Sequence, residues 1–315
     1  MPAKKHLLNA LKILVLSVAS FYIFTKFWQN LTDLKQIHFR IENFALLIVS
    51  FALCMVFFGI KVSNWHFILI RFQPSMRYVD SARIWFGSQT IKYIPGKIWF
   101  LLGRFYLGQH LLTKPVIFIT SFIEILLMLV SGTLIFFVFG DLVNLIHLTG
   151  ILRTGYVIIF AVVLALAAIH PFFLNIYQNV LARLFKQPKV RIELTFTSLL
   201  LLLLAYCANW ILFGISSYLI IISFFELHVA FWGQVVGIFA ISYVVGFLSL
   251  LTPGGIGVRE SVQVYFLSGL MPESITALIA IVSRLFWVTC EIIGAAIFVG
   301  LRKVLSMRRD KSSTG

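Results

Sequence analysis

The sequence predicts an all-α polytopic membrane protein with about six full transmembrane helices and two re-entrant helical hairpins. Hydrophobic residues make up 60% of the chain and charged residues 12%, a composition outside the range of soluble globular domains. Apolar runs of 18 or more residues recur along the sequence, as membrane-crossing helices require. Two Pro-Gly pairs, Pro95-Gly96 and Pro253-Gly254, interrupt such runs. We therefore expect one membrane domain over 1–315.

The apolar runs predict six full spans, at about 11–28, 43–70, 115–140, 152–174, 194–224 and 275–301. The first is expected to be a retained helix, because no small-residue cleavage pattern follows it. Between the spans lie two segments, 76–113 and 230–271, that contain the Pro-Gly pairs. Proline removes a backbone donor and glycine loosens the helix, so each segment should break into a hairpin. His170-Pro171 predicts a kink or an interfacial end in the fourth span.

Basic residues predict the orientation. Lys and Arg gather in the N-terminal stub, in 61–114, in 175–194 and in the C-terminal tail, whereas the alternate loops are poor in them. This bias predicts that both termini lie in the cytoplasm, in a multi-pass cytoplasmic-membrane protein. It also accounts for the net charge of +15, so we expect no nucleic-acid partner.

The topology predicts an inverted repeat. Repeat 1 covers about 11–140 and repeat 2 about 152–301, each with two spans, one hairpin and one closing span, in opposite orientations. Such repeats are typical of alternating-access carriers, and interrupted helices at matching places in the two halves indicate their binding site. Broken backbone at membrane depth is tolerated only beside protein or a water-filled cavity. The hinge candidates are Pro95, Gly96 and Pro253.

The breaks provide candidate anion-binding groups. Short helices are predicted at 97–113 and 256–271, and a helix N-terminus offers free N–H groups and partial positive charge to a phosphate. Gly254, Gly255 and Gly257 would let an anion approach the backbone. The alternative is that these glycines only permit tight helix packing.

Cations near both breaks are further candidates. Lys97 and Arg104 are seven residues apart and share a helical face, and Arg259 follows the second break. A lipid phosphate between the hairpins would meet cations from both halves. The alternative is that these side chains extend to the cytoplasmic headgroups.

Charges within membrane helices are costly and usually face a cavity or a partner. The candidates of this kind are Glu124, Glu260, Arg284 and Glu291, which with Arg259 would offer both signs to a headgroup. A carboxylate here could also carry a proton. The alternative is internal pairing of Arg284 with Glu260 or Glu291. Trp85 and Trp287 are expected to be packing or interface anchors.

No catalytic residue, metal site or cofactor is predicted. The three cysteines, Cys54, Cys207 and Cys290, lie within apolar runs without the paired spacing of disulfides or metal ligands. No Ser-His-Asp or Cys-His arrangement is evident, and the glycine-rich run lacks the strand and the Lys-Ser/Thr of a nucleotide loop.

Two segments carry a family resemblance, KYIPGKIW at 92–99 and TPGGIGVRE at 252–260. Together they resemble the membrane domain of the lysylphosphatidylglycerol synthase/flippase family, and Ser283-Arg284 agrees in position. The resemblance covers about 44–300. It implies a bacterial or archaeal cytoplasmic-membrane protein with two re-entrant hairpins that moves a polar lipid between leaflets. The soluble aminoacyltransferase domain of the full-length synthases has no counterpart in this sequence, so lipid aminoacylation is not expected.

We therefore expect a flippase, not an enzyme, for a phosphate-containing lipid, with the identity of the headgroup open between aminoacylated, glycosylated and other forms. Membrane lipids are its expected partners, and a lipid-modifying enzyme, a glycosyltransferase or a second copy of the chain are further candidates. Two alternatives remain: a membrane-embedded transferase acting on lipid-linked sugars, and a non-transporting assembly or regulatory partner of a lipid-modifying enzyme.

Overall fold

The structure, a computed structural model, describes residues 43–91, 99–140, 154–185, 188, 194–249 and 253–313, and every regular element within these ranges is helical. The helices are α1 (Phe44–Ile70), α2 (Tyr78–Ile91), α3 (Trp99–Gly108), α4 (Lys114–Phe139), α5 (Thr154–Ile169), α6 (Pro171–Phe185), α7 (Phe196–Phe224), α8 (Trp232–Leu248), α9 (Val258–Leu267) and α10 (Glu273–Ser313). The predicted all-α membrane fold is confirmed.

Four predicted spans appear as single helices, α1, α4, α7 and α10, each long and apolar enough to cross a membrane. The span predicted at 152–174 is divided instead into α5 and α6, which are bent by 60° at the break. His170 separates the two helices and Pro171 begins α6, so the predicted kink is confirmed. The span predicted at 11–28 lies outside the described residues.

The second Pro-Gly segment is broken as predicted. A short 3-10 turn at Pro253–Gly255 separates α8 from α9. With the turn before it, Val229–Leu248 is itself long and apolar enough to cross a membrane. By contrast α9 has ten residues, about 15 Å at roughly 1.5 Å per residue. A re-entrant path for this pair stays a prediction.

The first Pro-Gly pair lies between α2 and α3, but Pro95 and Gly96 are outside the described residues. The two helices pack against each other, as the arms of a hairpin do. Both short helices end earlier than predicted. α3 ends at Gly108 rather than at 113, because a turn follows it before Pro115, and α9 ends at Leu267 rather than at 271, shortly before Pro272.

We call α1 to α4 the first half and α7 to α10 the second half, and the contacts between the halves form matching pairs. The first helices of the two halves, α1 and α7, pack against each other. The closing helix of each half packs on the first hairpin helix of the other half: α4 on α8, and α10 on α2. Within each half, α2 contacts α3 and α8 contacts α9. The same contacts thus recur with the halves exchanged.

Small residues bring the central helices close. The hydroxyl of Ser50 on α1 donates to the carbonyl of Ser216 on α7 over 2.8 Å, and Ser216 returns a bond of the same length to the carbonyl of Ser50. A Cβ placed on Gly237 of α8 would come within 2.9 Å of the backbone of Gly140, at the end of α4. A Cβ on Gly214 of α7 would overlap Val236 of α8. Such contacts hold helices together in lipid, where the hydrophobic effect does not.

Candidate functional site

A cavity lies where the two halves meet. It has about 80 Å³ of space for the centres of water-sized molecules, and one water needs roughly 10–15 Å³ on that measure. Its walls come from α1 to α4 of the first half and from α8, the following turn, α9 and α10 of the second. Its charged lining residues are Lys61, Arg104, Glu124, Arg259 and Arg284.

The cavity lies deep along the helices. Lys61, Glu124 and Trp287 each lie at least nine residues from both ends of their helices. At about 1.5 Å per residue this is roughly 13 Å, near the middle of a hydrocarbon layer about 30 Å thick. All three side chains are buried. Charges at this depth require partners within the protein.

The first-half wall contains an ion pair that we call closed, because protein groups bond both oxygens of its carboxylate. Nη1 of Arg104 on α3 donates to Oε2 of Glu124 on α4 over 2.5 Å and to the hydroxyl of Ser121 over 2.9 Å. The indole of Trp85 on α2 donates to Oε1 of Glu124 over 2.7 Å. Arg104 also stacks on Trp65, with 4.6 Å from its guanidinium carbon to the ring centre. Both carboxylate oxygens of Glu124 therefore accept from the protein itself.

The second-half wall contains an ion pair with a longer N–O distance, in which the helices that supply the cation and the carboxylate are exchanged. Here the helix after the break supplies the carboxylate, Glu260, and the closing helix supplies the cation, Arg284, with 3.5 Å between Nη1 and Oε1. Arg284 also donates from Nη2 to the carbonyl of Gly254 over 3.1 Å. The other oxygen of Glu260 accepts from the backbone N–H of Gly257 over 2.7 Å. This bond caps the N-terminus of α9, so one donor there is already occupied by a carboxylate.

The turn at the second break depends on glycine. Gly254, Gly255 and Gly257 have φ of 57°, 71° and 84°, a region that other residues rarely adopt. At Gly255 a Cβ would also come within 2.7 Å of the carbonyl oxygen of Gly246 on α8. The turn therefore passes directly against α8 and places Arg259, in the first turn of α9, at the cavity.

Two further cations lie among aromatic rings. Nζ of Lys61 is 4.8 Å from the ring centre of Tyr243, 5.4 Å from Trp287, 5.5 Å from Phe57 and 5.7 Å from Trp85. It donates to the Tyr243 hydroxyl over 3.3 Å, and among the described residues it forms no ion pair with a carboxylate. The guanidinium of Arg259 lies 4.5 Å from Trp287 and 5.4 Å from Tyr243. Lys61 and Arg259 thus share two rings.

Comparison with known families agrees with this architecture. Residues 9–294 match the family model described as the lysylphosphatidylglycerol synthase TM region. The chain belongs to this family. No curated protein matches the sequence. Membership establishes a multi-pass membrane protein with a role connected to membrane lipids, and it confirms the resemblance stated from the two Pro-Gly segments.

In this lysylphosphatidylglycerol synthase TM-region protein, most predicted site residues lie together. Arg104, Glu124, Gly254, Gly255, Arg259 and Arg284 all line the cavity. Gly257 and Glu260 lie behind it at the start of α9. Glu291 is buried one turn beyond the lining residue Trp287, whose indole donates to its Oε1 over 2.7 Å. Lys97, Pro95 and Gly96 are outside the described residues. Arg284 forms an ion pair with Glu260, which is the internal pairing given above as the alternative to headgroup binding.

Sequence reasoning missed Lys61. It counted this lysine with the cytoplasmic cations of 61–114, but Lys61 lies within α1 and is 3% exposed. A charge inside a predicted span, 43–70, was the signal that would have found it. Arg104 was likewise counted in that region and is 1% exposed. Trp85 and Trp287 were expected to be packing or interface anchors, and both are buried in the core. In addition both donate to buried carboxylates, which was not predicted, and Tyr243 was not considered.

Proposed function

We propose that this protein moves a phosphate-containing polar lipid between the two leaflets of the cytoplasmic membrane. The proposal rests on the cavity at mid-depth, whose lining includes buried cations from both halves. A lipid phosphate needs cationic and N–H donors to leave the headgroup region, while its acyl chains remain in lipid. The family relationship supports a lipid substrate.

The repeat gives this cavity a means of alternating access. The reciprocal contacts of α1 to α4 with α7 to α10 support an inverted repeat of about 11–140 and 152–301. In such carriers the substrate lies near the bilayer midplane at the interface of the repeats, beside interrupted helices. The cavity beside the break at Pro253–Gly255 supports such a site. Movement of the hairpins would expose the headgroup to each side in turn.

Both chain ends are proposed to lie in the cytoplasm. Lys61 and Arg104 no longer count as loop cations, but Arg71, Arg77 and Lys114 and the basic tail still bias the same side. A fluorescent protein fused after residue 315 should mature, because it folds in the cytoplasm, whereas alkaline phosphatase at the same place should be inactive. Active phosphatase would reverse the proposed orientation.

Transport is tested with the purified full chain in vesicles that contain a lipid labelled fluorescently on an acyl chain. Quenching by dithionite outside the vesicles reports exchange between leaflets. Wild type should move the label faster than empty vesicles. Arg259→Ala should lower the rate about tenfold or more, as expected for the loss of a hydrogen bond to a charged group, and Arg259→Lys should keep part of it.

The matched control is Arg183→Gln, which removes an exposed arginine in the last turn of α6. It should leave the rate unchanged. Wild-type protein that moves no phospholipid, glycolipid or polyprenyl lipid above the empty-vesicle rate would end the transport proposal. Equal rates for wild type and Arg259→Ala would end the site assignment.

A further inference from the structure

The charges of the cavity are strongly unbalanced. Its lining holds four cationic side chains against one carboxylate, Glu124, so its formal charge is +3. Both oxygens of that carboxylate already accept, from Arg104 and Trp85. Of the acidic groups behind the lining, Glu260 is engaged by Gly257 and Arg284, and Glu291 accepts from Trp287. An entering ammonium group would find cations in excess. Oε1 of Glu260 accepts no hydrogen bond from the described residues, but it already lies 3.5 Å from Nη1 of Arg284.

The aromatic rings that would otherwise suit a cationic headgroup are occupied. Four rings from α1, α2, α8 and α10 surround the Lys61 ammonium at 4.8 to 5.7 Å. Cages of this kind are how proteins recognise ammonium ligands. Here the protein's own lysine occupies the cage. A headgroup amine is therefore denied these four rings and is placed beside a like charge.

Lys61 instead offers donors to an anion. An ammonium has three N–H donors, and among the described residues Lys61 uses one, toward Tyr243. It is 3% exposed and lines the cavity. A phosphate oxygen next to Lys61 would receive charge-assisted hydrogen bonds, which are about twice as strong as neutral ones. Two N–H donors of this buried cation therefore remain, among the described residues, for the oxygens of a ligand.

The geometry points to a cavity that selects lipids whose headgroup carries phosphate without a free amine, with Lys61 as the residue that sets this selectivity. The inference rests on the proposed function in that it takes the cavity as the lipid site. It predicts discrimination against aminoacylated lipids such as lysylphosphatidylglycerol, despite the name of the family. A lipid headgroup and a soluble metabolite can both present a phosphate ester to this cavity. Only the lipid has acyl chains, so binding that depends on those chains distinguishes the two.

Binding is measured first, because it does not depend on transport. Native mass spectrometry or thermophoresis of the full chain in detergent is used with short-chain phosphatidylglycerol, lysylphosphatidylglycerol, phosphatidylethanolamine and glycerol 3-phosphate. Phosphatidylglycerol should bind at least about tenfold more tightly than the two amine-containing lipids, because their amines would lie beside the like charge of Lys61. It should also bind more tightly than glycerol 3-phosphate. Equal binding of glycerol 3-phosphate would overturn the assignment of a lipid.

Lys61→Met, which removes the charge but keeps an unbranched side chain one atom shorter, should weaken phosphatidylglycerol binding about tenfold and reduce the discrimination. Lys61→Arg should retain both. The comparison of the four ligands with the wild-type protein tests the selectivity even if Lys61→Met does not fold. Amine-containing lipids that bind as tightly as phosphatidylglycerol would overturn the inference. Selective binding without any leaflet exchange would instead overturn the proposed transport and leave the selectivity standing.

Discussion

Each half of the molecule joins the helix after its break to its closing helix by one buried ion pair, but the two pairs are reversed and differ in tightness. In the first half Arg104 on α3 meets Glu124 on α4 at 2.5 Å. In the second half Glu260 on α9 meets Arg284 on α10 at 3.5 Å. The side chains of Arg104 and Glu124 are 1% and 6% exposed, and those of Glu260 and Arg284 are 9% and 14% exposed.

The difference assigns distinct roles to the two halves. The first pair is closed, because Ser121 and Trp85 complete its hydrogen bonds. The second pair divides its hydrogen bonds between the carbonyl of Gly254 and the N–H of Gly257, at the two ends of the turn. The first pair therefore holds a wall in place, whereas the second links the conformation of the turn to the closing helix.

The largest effect is expected for Glu124→Gln, which breaks the closed pair. It leaves Arg104 buried without its carboxylate, a change that costs about 3–5 kcal/mol. Thermal unfolding followed by fluorescence-detection size exclusion should show a large drop in Tm. The double variant Glu124→Gln/Arg104→Met should recover much of it, because no charge is then left unpaired. A single variant as stable as wild type would show that the first pair is not a structural one.

A smaller but clear loss is expected for Gly255→Ala. The alanine would have to adopt a φ of 71° and would approach the carbonyl of Gly246 within 2.7 Å, and such backbone strain costs about 1–3 kcal/mol. Since the turn would shift, Arg284 should also lose its bond to Gly254, and leaflet exchange should fall with Tm.

The matched control for Gly255→Ala is Gly59→Ala, within α1, where a Cβ meets nothing within 4 Å. It should raise Tm slightly, because alanine is favoured over glycine inside helices by up to about 1 kcal/mol. If both alanine variants behaved alike, the positive φ of Gly255 would have no energetic consequence.

Arg284→Gln tests the looser pair directly. Its longer, partly exposed contact predicts a loss of only about 1–2 kcal/mol, well below that of Glu124→Gln. The comparison is made in the same unfolding assay, with Glu260→Gln as the partner variant. A loss equal to that of Glu124→Gln would remove the distinction between the halves.

The smallest effect is expected at Arg77, which pairs with Asp80 at 2.8 Å outside the cavity, with its side chain 56% exposed. Exposed pairs of this kind contribute less than about 1 kcal/mol. Arg77→Ala should leave both Tm and leaflet exchange close to wild type. A marked loss of exchange would mean that cations outside the cavity also serve the lipid.

The sequence predicted those features that depend on neighbouring residues. Apolar length predicted α1, α4, α7 and α10, and Pro-Gly chemistry predicted the turn at Pro253–Gly255. The cost of a charge in lipid singled out Glu124 and Arg284, which line the cavity, and their binding of a lipid stays a prediction. These signals are local, because a helix in lipid satisfies its own backbone wherever it lies.

The partners of the charges could not be predicted in this way. Glu124 is 20 residues from Arg104 and 39 from Trp85, and their contact depends on how α2, α3 and α4 pack. Lys61 is surrounded by rings from four helices, so its role is visible only after folding. The charge balance was predicted least well. The predicted set of Glu124, Arg259, Glu260, Arg284 and Glu291 has a formal charge of −1, and adding the two buried cations Lys61 and Arg104 makes it +1.

The glycine contacts of α8 determine which parts of the protein can move. Gly237 and Gly214 hold α8 at near-backbone distance from α4 and α7, and one of these helices belongs to the first half. These three helices form a frame, and a movement of one entire half past the other would break the close contacts within it. The moving part should instead be the short arm α9, which has ten residues and carries the looser ion pair. The frame, together with the tightly paired α3, would then stay fixed while α9 turns beside it.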